Sequence, residues 1–354
     1  MMIALDELVF PAPYCPLEGA RNPAADRIEA YAMDWVDKHG LCETASERAS
    51  LLDTRSADFC ARFFPEADEE RLLAITLWVY WGFAFDDVYC DNAATAVGAE
   101  EFAEVAGLVQ RAWEVPTTLT SADPRLSRYL VAMQDLSARF HRLGSPTQLN
   151  QVNAAHCAWL FAVAWQVGNR SRGVLPTVDG YLMMRLGACG ISVLCAMTGF
   201  ANRIEVPARE WHAPAVKALT EMATTVVALD NDRHSLVKEL RGGQDEQNIF
   251  TVLLGQGRTL PEAVEEATGL RDRMFCRFVE LADRVAAQGS PELRQYVQGL
   301  RWGIRGNAEW GLVVPRYREG GEVEDLGITW ADRPSARGSQ APPASIDWWW
   351  QDFA

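Results

Sequence analysis

The chain has 354 residues, 49% of them apolar, with a net charge of −15 and a pI near 4.9. That balance argues against nucleic-acid binding, whose phosphate contacts need basic surface, and against attraction to anionic membranes. Eight cysteines lie scattered without a C-x-x-C pair or zinc spacing, and the five histidines do not cluster, so no disulfide framework or zinc site is written in the chain.

Several cysteines sit inside apolar runs such as SVLCAM (192–197), where a thiol behaves as a small hydrophobe. Reduced thiols in a cytoplasm are expected. The start, MMIALDELVF, lacks a basic region and carries Asp6 and Glu7, unlike a signal peptide. The longest apolar run, AITLWVYWGFAF (74–85), is too short to cross a bilayer.

In chain order the segments read as helices with helical punctuation. Asn22-Pro23 opens a helix running to about Lys38, ended by His39-Gly40. DEERLLAITLWVYWGFAF follows Pro65 and is apolar nearly all round, which predicts a buried helix. Asp123-Pro124 caps RLSRYLVAMQDLSARFHRLG, and Ser145-Pro146 starts a helix containing AAHCAWLFAVAW. Thr177 precedes DGYLMMRLGACGISVLCAM. Pro207 precedes a long helix reaching Glu239 and Leu240, stopped by Gly242-Gly243. Two more are expected at about 261–288 and 291–313. Strand-like alternation between hairpin turns is absent. With no internal repeat and no low-complexity linker inside 20–318, the pattern predicts one all-α domain of about ten to twelve helices. The last part, 319–354, begins as loop and ends DWWWQDF; three consecutive Trp are expected to pack back on the body.

Two acidic motifs punctuate these helices. The buried one ends FAFDDVYCDN, so Asp86, Asp87 and Asp91 form D-D-x-x-x-D, with Asp87 and Asp91 on one face. Adjacent carboxylates at the end of an apolar helix repel unless a cation neutralises them; the alternative is a solvated helix end. In NDRHSLVKE (231–239), Asn231, Ser235 and Glu239 recur every four residues after the apolar run TTVVAL. That spacing drifts only about 80° around the axis, and the long Glu leans back toward the other two. An amide oxygen, a hydroxyl and a carboxylate then converge, a donor set suited to Mg²⁺. A polar stripe on an amphipathic helix would give the same triplet.

Taken together, these segments resemble the bacterial class I terpene synthases, over most of the chain. The resemblance rests on D86-D87-V-Y-C-D91 and on N231-D-R-H-S235-L-V-K238-E239. Arg185, 46 residues before Asn231, falls where the family carries its diphosphate-sensing arginine, and W310-G-L-V-V-P-R316-Y317 is similar to its terminal Arg-Tyr pair with an upstream Trp. The opening FPAPYCPLEGARNP is similar to its Pro-rich N-terminal segment, and Asn248 also falls in place. Departures are the three residues between Asp87 and Asp91, where two are commonest, and the bulky Arg233-His234 inside the second motif. Ala188 and Cys189-Gly190 occupy the region that the family uses as a helix break.

The resemblance implies an all-α, single-domain helical bundle with a central active-site cavity: an N-terminal segment over 1–20, the helical domain over 21–318 and the tail over 319–354. It implies Mg²⁺-dependent ionisation of a linear prenyl diphosphate, farnesyl first and geranylgeranyl next, and cyclisation to a terpene hydrocarbon or alcohol. Asp86, with Asp87 supporting and Asp91 nearby, and Asn231, Ser235 and Glu239 would hold three Mg²⁺ ions. Arg185, Lys238, Arg316 and Tyr317 would bind the diphosphate. Each also has an ordinary reading: Lys238 as a surface cation, Arg185 as partner of a core carboxylate, Arg316-Tyr317 as decoration of a helix end. Aromatic faces stabilise a cation without attacking it, so Phe83 and Trp310, ahead of Phe85, are candidate cavity walls, although aromatics at helical spacing mostly fill cores. A homodimer is implied. The rivals are a prenyl-chain-elongating transferase, disfavoured because the second motif is not Asp-rich, a helical metal-dependent hydrolase, disfavoured because both motifs lack His-Asp pairs, and a non-enzymatic helical binding protein.

Overall fold

The computed structural model describes residues 8–91, 97–242, 247–318, 328–335 and 341–353. Its fourteen α-helices run α1 (Ala25–His39), α2 (Ala45–Leu52), α3 (Ser56–Phe63), α4 (Glu69–Asp86), α5 (Ala99–Glu114), α6 (Pro124–Leu143), α7 (Pro146–Ser171), α8 (Val178–Ala188), α9 (Ile191–Asn202), α10 (Ala208–Trp211), α11 (Pro214–Gly242), α12 (Ile249–Gly255), α13 (Leu260–Gln288) and α14 (Pro291–Val313). The count exceeds ten to twelve because short helices such as α2, α3, α10 and α12 leave too few turns for a periodic signal. A π-helical turn, Asp87–Asp91, ends α4, and a 3₁₀ turn, Pro315–Tyr317, follows α14.

The helix starts are chemically marked. Ser145 and Thr259 form capping boxes with Gln148 and Glu262, while Asp68, Asp123, Thr177 and Ser290 accept from backbone N–H groups of the first turn. Gly40 ends α1 in the left-handed conformation.

Helix α4 is buried almost all round, from Leu72 to Phe85, and packs on α1, α3 and α6. A second group, α11 with α13 and α14, packs on α3 and α9, which also touch α4. The apolar stretch read as one helix after Thr177 is two, broken at Cys189-Gly190. Gly190 takes φ 71°, a left-handed conformation that strains side-chain-bearing residues. Val178–Asn202 is the one stretch among the described residues long and apolar enough to cross a membrane, and 67% of its most apolar window is buried in the protein.

Both chain ends pack on α11, α13 and α14. Three arginines grip the backbone of the N-terminal segment: Arg233 donates to the Pro11 carbonyl (2.6 Å), Arg271 to Tyr14 (2.6 Å) and Arg305 to Cys15 and Leu17 (3.2 and 3.0 Å). Ala331 N donates to the Pro13 carbonyl, adding a piece of the tail to this clasp, and Arg305 lies 3.9 Å over the Trp330 ring. Further on, Trp349 is fully buried; its Nε1 donates to Glu221 (2.9 Å) and Arg277 holds its carbonyl.

Arg271 is itself buried between Asp230 (2.8 and 2.9 Å) and Asp272 (3.0 Å). Removing it strands the buried Asp230 carboxylate and the Tyr14 carbonyl and leaves Asp272 with its bonds from Ser335. Arg271→Met is expected to cost about 3–5 kcal/mol of stability, read as a lowered urea midpoint; an unchanged midpoint would show that the clasp is not a structural element.

Candidate active site

A cleft of about 1070 Å³, counted out to its mouth, opens between α4, α7, the α8–α9 break, α11 and α14. It has an apolar, aromatic floor and a polar rim. Phe59, Trp78, Phe83, Trp159 and Trp310 supply the aromatic wall, and Asp86, Arg185, Asn231, Ser235, Lys238, Glu239, Arg316 and Tyr317 the rim. The two acidic motifs, far apart in sequence, therefore face one space: each sits at the C-terminal part of an apolar helix, and those ends meet.

The 3₁₀ turn after α14 bridges the motifs. Arg316 donates to both carboxylate oxygens of Asp87 (2.5 and 3.2 Å), and its guanidinium lies 5.1 Å from the Phe83 ring centre. Its neighbour Tyr317 accepts at its hydroxyl from Asn231 Nδ2 (2.9 Å). Asp87 is thus engaged by Arg316, while Asp86 lines the cleft. Asp91 ends the π-helical turn, and its side chain lies outside the described residues.

From α8, Arg185 donates through Nη2 to Asn231 Oδ1 (3.0 Å) and Asp232 Oδ1 (2.9 Å) on α11. Arg185 is thus the partner of a core carboxylate, and it also lines the cleft. Asp232, 2% exposed, was passed over in the motif, yet it is the junction of the site. It also accepts from the Tyr181 hydroxyl and the Ile249 N–H (2.9 Å). The signal was an acid at a position that the helical period turns into the core. Asn248 donates to the Asp232 carbonyl (2.9 Å) and to Glu239 Oε2 (2.8 Å), so the start of α12 is tied to the end of α11.

Burial and the neighbouring Asp232 charge push Glu239 up to about 7, against bonds from Ser235 and Asn248 that hold it down. Such a carboxyl is short of positive charge. Among the described residues no three Asp, Glu, His or Cys side chains gather as a metal cluster. The oxygen donors present, Asp86 on one side and Asn231, Ser235 and Glu239 on the other, fit hard cations that take further oxygens from waters and phosphate.

The bulky pair inside the second motif turns away from the rim. Arg233 reaches the N-terminal segment, as above. His234 packs 6.3 Å from the Tyr317 ring in a stacked arrangement, and burial pushes it down to about 3, so it stays neutral. It fits because position 311 is glycine: a Cβ there would lie 2.1 Å from the imidazole. Of the aromatics, Trp310 is anchored by Nε1 on the Thr54 carbonyl (2.8 Å) and packs on Phe59 (4.9 Å) and Phe83 (6.3 Å). Phe85 is not in the wall; it stacks on Trp81 (4.7 Å) in the core behind it. Phe59, Trp78 and Trp159 were not singled out in the sequence, where nothing separates them from core aromatics.

Comparison with known proteins places this geometry. Residues 77–277 match the family profile described as terpene synthase family 2, C-terminal metal binding. The chain is 45% identical to spiroviolene synthase of Streptomyces violens over 99% of each chain. It is 35% identical to phomopsene synthase of Allokutzneria albata, covering 97% of this chain and 96% of that one. A (+)-T-muurolol synthase of Streptomyces clavuligerus, named as cyclising (2E,6E)-farnesyl diphosphate, is 30% identical over 99% of this chain and 84% of its own. Among solved structures, the ancestrally reconstructed SVS_A2 protein superposes with a TM-score of 0.86 at 48% identity, covering 97% of this chain and 98% of that one.

The Glu239 environment has a testable sign. Between its ordinary value near 4.5 and about 7, the folded metal-free protein keeps a proton that the unfolded chain releases. Stability therefore falls as pH rises through that window, by on the order of 3 kcal/mol in all, and stays low above it. Glu239→Gln removes the loss: in EDTA it should be more stable than the parent at pH 8 and nearly equal at pH 4.5. Parallel urea curves at both pH values check this, and equal differences at the two would refute it.

Proposed function

The chain belongs to terpene synthase family 2 and is a class I terpene cyclase, and we propose that it ionises geranylgeranyl diphosphate and closes the cation to a polycyclic hydrocarbon or alcohol. The observation that carries this reading is the single cleft in which both metal motifs and two arginines ring an aromatic floor. Twenty carbons are favoured over the fifteen of farnesyl diphosphate because spiroviolene and phomopsene synthases, at 45% and 35% identity, are diterpene synthases, and small residues leave room in the cleft. Gly82, Ala188 and Gly190 line it, and a Cβ at Gly82 would meet nothing within 4 Å. Farnesyl diphosphate is the second reading, supported by the relative named for cyclising it.

Three Mg²⁺ ions are proposed, two held at the first motif by Asp86 and the third by Asn231, Ser235 and Glu239. Bound Mg²⁺ supplies the Lewis acid that spreads the charge of the departing diphosphate. Arg185, Lys238, Arg316 and Tyr317 bind that diphosphate through charge-assisted hydrogen bonds. Asp87 serves by holding Arg316 rather than by binding metal, and Asp232 serves by holding Arg185 and Tyr181. Once the allyl cation forms, its surroundings are the faces of Phe83, Trp310, Phe59, Trp78 and Trp159, which stabilise charge without attacking it. The same apolar walls keep water from ending the reaction early.

We place the enzyme in the cytoplasm as a homodimer. All eight cysteines are free, which suits a reducing compartment. The outer face of α7 and α8 exposes Phe161 (76%) and Met183 (48%), and residues 146–169 contain no Asp, Glu, Lys or Arg. In a chain of charge −15, two copies can meet there without like-charge repulsion.

Purified protein incubated with ten-, fifteen- and twenty-carbon prenyl diphosphates, with Mg²⁺ or EDTA, should give a Mg²⁺-dependent cyclic product from the twenty-carbon substrate by gas chromatography–mass spectrometry. Product from farnesyl diphosphate alone overturns the chain length, and a longer diphosphate formed with added isopentenyl diphosphate would make the enzyme an elongase. Arg185→Ala is expected to cut kcat/KM by about 10²–10³-fold. For the dimer, light scattering should find twice the chain mass for the parent and one chain mass for Phe161→Glu; a monomeric parent removes the interface.

A further inference from the structure

One polar side chain in the cleft wall takes no part in metal or diphosphate binding. Asn307 stands on α14 three residues before Trp310, about 4.5 Å deeper along the axis and on nearly the same face. It lines the cleft and is 2% exposed. Its Nδ2 donates to the Val227 carbonyl on α11 (3.4 Å), one turn before Asn231. A carbonyl only accepts, so the orientation of the carboxamide is fixed: nitrogen toward α11, oxygen away from it. Oδ1 has no hydrogen-bond donor among the described residues, and it is absent from the buried polar atoms sealed without a partner. It opens on the cleft.

We propose that Asn307 is a specificity-determining residue, whose Oδ1 presents the negative end of a fixed dipole to the carbocation as it migrates over the cleft floor. The inference rests on the cyclase reading but not on the substrate's chain length. Aromatic faces attract positive charge over a broad area; a carbonyl oxygen favours it at one place. Because Nδ2 is already tied to α11, the dipole needs no reorientation when charge arrives, and the apolar surroundings screen it little. The cation whose charge falls beside Oδ1 lives longest, and rearrangement proceeds from it.

The test compares the parent with Asn307→Leu and Asn307→Met, which are close in size and lack the dipole. Diphosphate release and product distribution are measured on the same samples, with thermal melting as a check of folding. The parent's main product is expected to lose about tenfold or more of its share to products of earlier termination. Over the same variants, KM for the diphosphate should move by no more than about threefold, a small fraction of the product effect. An unchanged product distribution in a folded variant overturns the inference. So does an equal fall of diphosphate release and product with a raised KM, because Asn307 would then be a prop for α11. If the parent itself releases no diphosphate from any substrate, the cyclase reading fails instead.

Discussion

Acidic groups held at the mouth of an apolar cavity repel each other and resist desolvation, and most of the site's architecture answers that difficulty. Arginines answer it first. Arg316 takes Asp87, Arg185 takes Asp232 and Arg271 takes Asp230. Each of these acids neighbours a cleft-facing oxygen donor in sequence, and each is neutralised by a cation from another helix. Asp86, Asn231, Ser235 and Glu239 line the cleft. The elevated Glu239 shows that the compensation stops short, leaving a demand for positive charge where the substrate's head group would sit.

The same ties convert two helix ends into one device. Arg316 and Tyr317 are consecutive, yet one holds the first motif and the other the second. A shift of the 3₁₀ turn therefore moves both rims together. Tyr317 is seated from behind by His234, which is admitted only by the missing side chain at Gly311. Below the rim the chemistry changes character: the α8–α9 break at Gly190 and the rings of Trp78, Trp159 and Trp310 give a floor that can hold a cation but offers little to capture it.

How much of this was legible depended on whether a signal was local. The donors at 231, 235 and 239 share one helix face, so their spacing alone brought them together. Asp86, at the end of a helix too apolar to be exposed, was equally readable. The pairings Arg316–Asp87 and Asn231–Tyr317 were not, because nothing in either segment encodes the path between them. Asp232 hid inside a motif read for its neighbours, since burial of one residue among polar ones depends on which way the helix faces. His234 looked like a departure until Gly311, 77 positions later, explained it. Phe85 and Phe83 are two residues apart on one helix, so their opposite fates, core and cleft, followed from rotation rather than residue type.

The clasp on the N-terminal segment carries a different consequence. Arg233, Arg271 and Arg305 grip the carbonyls of Pro11, Tyr14, Cys15 and Leu17, which every amino acid possesses. Recognition of this kind reads length and path, not identity. Over evolutionary time the side chains from 11 to 17 can drift wherever they face solvent, while the number of residues between the gripped carbonyls stays fixed. A single insertion there would slide every carbonyl past its arginine, and one of those arginines stands between Asn231 and Ser235.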